Sequence, residues 1–184
     1  LCRTMDSTGT GYMMRSKDYD SLNGINPGFD NLIFADYALW LEMTLLNYKA
    51  TAMSTIFKYR VHKSVSRVTG VQKYTNAFEK FLIFLKEHAD KNDKIKLVME
   101  RYGKTMLLFY CESLSHRLLK TPRRERDISV SDFITICKKY ATLLFPDDYF
   151  EPEKKFRINI AKQLDSTSPG RMLFRTLNNL LKKQ

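Results

Sequence analysis

Two side chains in the run from Ile33 to Ser66 are candidates for a part in a reaction, Asp36 and His62. A carboxylate can accept or release a proton, and an imidazole can do the same or bind a metal ion. Trp40 and Arg60 belong to the same run and add an aromatic face and a planar cation. Each residue has a structural use as well. Asp36 stands where a helix N-cap belongs, and aspartate is among the best N-cap residues. Trp40 lies on an apolar stripe with Met43, Arg60 shares a strand face with Lys58, and a lone histidine at a strand end commonly just satisfies hydrogen bonds. Other constellations fail: the chain has no Gly-x-x-x-x-Gly-Lys phosphate loop, no HExxH helix and no Gly-x-Ser-x-Gly elbow. His88 and His116 fall singly in expected helices, without a ligand partner four residues on.

The elements that must position these residues are short in the first third of the chain. From Asp36 onward, Leu39, Trp40, Met43 and Leu46 keep to one face of a 3.6-residue period, which predicts a helix. In "STIFKYRVH", Phe57, Tyr59 and Val61 alternate with Lys58 and Arg60, the pattern of a strand with one face toward a core. Gly9, Gly11 and "NGINPG" at 23–28 supply turns. Strand, helix and strand in this order predict α/β structure over residues 1–66. After "SVSRVTG" the pattern becomes long amphipathic helices, expected at 71–89, 93–120, 129–145, 151–164 and 169–183, so residues 67–184 read as an all-α domain and the chain as mostly helical. Ser168 and Pro169 are expected as N-cap and first-turn residue of the last helix.

Composition narrows the class. The 184 residues are 43% hydrophobic and 12% aromatic, with seven glycines and five prolines, which excludes a disordered or fibrous chain. Cys2, Cys111 and Cys137 are odd in number and widely spaced, so neither a disulfide framework nor a zinc knuckle is indicated, and a reducing compartment fits. No apolar run approaches the ~18–20 residues that span a bilayer, and Leu1 to Gly11 lacks the apolar core of a signal peptide. A cytoplasmic location is expected. The chain starts at leucine in a polar stretch, "LCRTMDSTGTG", that reads as the interior of something longer. The net charge of +11 is uneven: residues 1–66 hold 7 Lys/Arg and 6 Asp/Glu, and residues 67–184 hold 24 and 14, so +10 belongs to the second part.

"GYMMRSKDYDSLNGINPGFDNLIFADYALWLEM" followed by "FKYRVHKSVS" resembles the C-terminal, acceptor-side part of the catalytic domain of family 2 glycosyltransferases, which have the Rossmann-like GT-A fold. The resemblance rests on an arginine after a small-residue strand (Arg15), a "GGI"-like turn (Asn23-Gly24-Ile25), an "AD" that opens a helix carrying "LW", and the string "YRVHKSVS". It covers about residues 9–66. The family's nucleotide-binding half, with the DxD acid pair that holds a divalent metal, would lie upstream and has no counterpart here. "DYD" at 18–20 has the DxD form, but it falls between Arg15 and the turn and reads as a solvated loop.

The resemblance implies an inverting transfer of a sugar from a nucleotide sugar to a glycan or lipid-linked acceptor, as in cell-envelope polysaccharide synthesis. Asp36 matches the family's catalytic base. Gly24, Ile25 and Trp40 match its acceptor side, Arg60 would pair with the diphosphate, and His62 matches a histidine that approaches the metal or diphosphate. A divalent ion, Mn or Mg, is expected for the complete enzyme but not for this part alone, which should be inactive without its donor-binding half. The alternative is a non-catalytic basic helical module that binds nucleic acid, a membrane surface or protein.

Two features of residues 67–184 bear on that choice. "HRLLKTPRRER" at 116–126 sets Arg117, Lys120, Arg123, Arg124 and Arg126 against Glu125 alone. The last helix places Leu173, Leu177, Leu180 and Leu181 on one stripe, with Arg171, Arg175, Lys182 and Lys183 elsewhere and no acid after Asp165. A basic amphipathic helix of this kind can lie on an anionic membrane at its cytoplasmic face, or pack on neighbouring helices with a solvated basic rim. Nucleic acid is not the expected partner.

Overall fold

Every regular element described in the computed structural model is helical, over residues 13–29, 32–46 and 70–181. Helices α1 (Ser16–Ser21) and α2 (Ala35–Leu46) belong to one compact unit within Ser7–Thr69. Helices α3 (Val71–Lys91), α4 (Asp93–Lys120), α5 (Val130–Leu144), α6 (Phe156–Ser166) and α7 (Ser168–Leu181) belong to a second within Gly70–Gln184. Short 3₁₀ turns occupy Arg123–Glu125 and Pro152–Lys154.

The α/β expectation for the first unit is therefore corrected: among the described residues the chain is all-α, with no strand and no sheet. Met13 to Arg15, the end of the expected "GYMMR" strand, form none, and the chain turns directly into α1, so "DYD" is helical rather than a loop. A strand exists only through a ladder to a partner, and neither sequence alternation nor turn-forming residues create one. The segment Thr55–Val61, with Arg60, lies outside the described residues, as does His62.

Asn23 and Gly24 show what the turn residues do instead. Asn23 (φ +58°) and Gly24 (φ +73°) both sit in the left-handed region. The Gly24 amide donates to the Tyr19 carbonyl at 3.0 Å and the Asn23 amide to the Asp20 carbonyl at 3.0 Å. These are the two bonds of a Schellman helix stop. Gly24 lies so close over Tyr19 that a Cβ would come within 2.9 Å of its hydroxyl.

The second unit is built around α4, whose 28 residues span about 42 Å at 1.5 Å per residue. Asn92 caps it, its side chain accepting from the Lys94 and Ile95 amides at 3.0 and 3.3 Å. Ile95, Met99, Gly103, Leu107, Cys111, Leu114 and Leu118 recur every three or four residues and are buried, where α4 meets α3, α5, α6 and α7. On α3, Val71, Thr75, Phe78, Leu82, Leu85 and Ala89 form the matching stripe. Helix α5 starts from a reciprocal capping box between Ser129 and Asp132, and it buries Phe133 close to Phe78.

A charged pair is sealed inside this bundle. Asp165 accepts from both terminal nitrogens of Arg126, one of them at 3.1 Å, and from the Val130 amide at 2.8 Å. The two side chains are only 2% and 0% exposed. The pair ties the 121–129 connection to the last turn of α6. Arg126, expected within a basic surface cluster, is thus internal.

Candidate functional site

Helix α2 starts one residue before Asp36, and this changes what Asp36 does. The Phe34 carbonyl accepts from the Ala38 amide at 3.0 Å, so Phe34 occupies the cap position but has no side chain that can cap. Asp36, in the first turn, takes over: Oδ1 accepts from the Tyr37 amide at 2.9 Å. The expected N-cap role is corrected to an acid within the first turn, where the helix dipole also favours it. Burial pushes the Asp36 carboxyl above its ordinary value, and the backbone amides of Tyr37 and Asp36 itself offset this only in part. A helix N-terminus favours the ionised form, but desolvation is the larger effect here.

The backbone leading into Asp36 is unusual. Leu32 (φ +57°) and Phe34 (φ +65°) both adopt the left-handed conformation, which costs a residue with a Cβ roughly 1–2 kcal/mol. Such residues persist only where the surroundings over-determine them, and they collect at functional sites. No sequence signal announces them, because only glycine and asparagine advertise this conformation. The rings of Phe34, Tyr37 and Trp40 line up along this end of α2, with centroids 6.1 Å apart for the first pair and 5.1 Å for the second, which meets edge to face.

Trp40 is 9% exposed and Leu39 5%, so the tryptophan is chiefly a core residue. Ile25, by contrast, is 38% exposed, directly after the glycine of the Schellman stop. Gly24 has a conformational reason to be glycine whatever it binds. The remaining expected site residues, Arg60 and His62, lie outside the described residues.

The described residues do not fit a divalent metal. No group of three His, Cys, Asp or Glu side chains among them could hold one. Asp18 and Asp20 sit two residues apart on α1, and side chains at that spacing do not face each other on a helix. Asp18 instead approaches Arg15, at 3.8 Å.

The basic stretch 116–126 is also less available than its composition suggests. Arg126 is buried with Asp165 and Arg117 lies 3.8 Å over the Tyr74 ring, whereas Arg124 and Arg123, which donates to the Arg126 carbonyl at 2.7 Å, stay exposed. No helix among the described residues is long and apolar enough to cross a membrane. No family model, curated protein or solved structure matches the chain.

Proposed function

We propose that the chain is the acceptor-side part of an inverting, nucleotide-sugar-dependent glycosyltransferase of family 2, carrying the catalytic base on α2 and a basic helical extension after it. The observation that carries the reading is Asp36: a partly buried carboxylate of raised proton affinity, held by a backbone amide in the first turn of a helix that two left-handed residues introduce. A base works best when its pKa approaches the working pH, and burial moves Asp36 in that direction.

The chemistry is an in-line displacement. The acceptor hydroxyl attacks the anomeric carbon, a new carbon–oxygen bond forms with inversion, and the bond to the nucleoside diphosphate breaks, its electrons leaving with the diphosphate. Asp36 takes the hydroxyl proton as the new bond forms. The exposed Ile25 and the largely buried Trp40 are assigned to the acceptor side, and Arg60 and His62 are left for the diphosphate side. The donor-binding half lies outside this chain, which by itself should turn over no nucleotide sugar.

Supporting this over a nucleic-acid module is the state of the basic cluster, in which Arg126 is buried in an ion pair with Asp165 and Arg117 packs on the Tyr74 ring. The test is transfer of labelled sugar to glycan and lipid-linked acceptors by a polypeptide in which a donor-binding half precedes these residues. Asp36→Asn should lower kcat by about 10²–10⁴ and leave donor KM close to unchanged. Full activity in that variant would refute the assignment, as would turnover by the 184-residue chain alone.

A further inference from the structure

Helix α7 presents its apolar side to water. Met172, Leu173, Leu177 and Leu180 are 72%, 57%, 51% and 58% exposed, and 173, 177 and 180 follow the four-then-three spacing of one helical stripe. The bundle holds α7 by its other side. A Cβ on Gly170 would come within 2.6 Å of the Leu164 carbonyl oxygen, Arg171 donates to the Asp165 carbonyl, and the Phe174 ring meets the His116 ring edge to face at 6.4 Å. The leucines therefore contribute little to the packing of the bundle.

We propose that this face of α7 is a docking surface for an anionic lipid bilayer, with the helix lying in the headgroup region. Two properties select that occupant. The side chains project from a convex helix, as shown by their exposure, which suits insertion into the acyl boundary. The helix and the sequence after it are basic: beyond Asp165 the sequence holds Arg171, Arg175, Lys182 and Lys183 and no acid, in a half of the chain with net charge +10. A second copy would bring the same positive charge against it, and a nucleic-acid duplex presents a phosphate surface rather than an apolar one to such a stripe. An anionic membrane meets both needs. At 14 residues α7 is shorter than the ~20 residues a membrane span needs, so it lies on the surface. The inference does not depend on the glycosyltransferase reading.

The 184-residue chain is sedimented with phosphatidylcholine vesicles and with vesicles that also contain phosphatidylglycerol. Binding to the anionic vesicles should be about tenfold or more stronger. The variant Leu173→Asp/Leu177→Asp should lose about tenfold or more of it, with circular dichroism and Tm unchanged because both side chains are exposed. No sedimentation with anionic vesicles, equal binding to both vesicle types, or undiminished binding by the variant would overturn the proposal. So would a wild-type dimer in light scattering that the same variant dissolves, which would make a second copy the occupant.

Discussion

Burial pushes the carboxyls of both Asp36 and Asp165 upward, yet only Asp36 ends above its ordinary value. At Asp165 the Arg126 guanidinium and the Val130 amide outweigh desolvation and hold the group below the usual carboxylate range. The depressed group stabilises the fold above the unfolded carboxyl value of about 3.9, and that contribution is lost as pH falls through the folded value. Acid unfolding of the helical unit should therefore set in below about pH 4. Removing one partner strands a buried charge. Asp165→Ala should cost about 3–5 kcal/mol in urea unfolding, and the double variant Arg126→Met/Asp165→Leu should recover most of it. If the single and double variants proved equally unstable, the pair would not be acting as a unit.

Among the elements, α3 to α6 were legible because each buries a stripe that repeats at helical spacing, as Val71, Thr75, Phe78 and Leu82 do. Two of their starts carried caps, Asn92 before α4 and Ser129 with Asp132 before α5, whereas α6, expected over 151–164, begins at Phe156 after the 3₁₀ turn at Pro152–Lys154 and without a side-chain cap. The first unit was not legible in the same way. Asn23 and Gly24 mark a reversal in any architecture, and the sequence did not distinguish a turn between strands from a Schellman stop on a one-and-a-half-turn helix. Asp36 was placed as a cap because it is the best capping residue nearby, whereas the helix begins at the Phe34 carbonyl. At α7 the stripe was visible but its direction was not, because the orientation is set by Gly170 against Leu164 rather than by the leucines. The cap there falls on Thr167, whose hydroxyl accepts from the Gly170 amide at 3.2 Å, one residue before the expected Ser168. Gly170→Val should lower stability by about 1–3 kcal/mol and loosen α7, seen as faster amide exchange over 171–178. Unchanged exchange would mean that the corner does not orient the helix.

For the whole molecule, charge and chemistry divide between the two parts. The first 66 residues carry a net charge of +1 and the candidate base, and the remainder carries +10 and the outward apolar stripe. A basic, membrane-seeking helical unit would bring a transfer site to acceptors held in lipid, raising their local concentration without new contacts at the reacting atoms. The transfer proposed for this chain depends on Asp36 as the base. Its most direct test is the pH dependence of kcat/KM for a polypeptide that joins a donor-binding half to this chain. Because burial raises the Asp36 pKa, the folded protein binds that proton more tightly than the unfolded chain, and ionised Asp36 is carried at a cost to stability at neutral pH. The rate should rise with pH through an apparent pKa above the ordinary aspartate value of 3.8, and Asp36→Asn should remove that limb without lowering Tm. The same ascending limb in Asp36→Asn would assign the base to another residue and contradict the account.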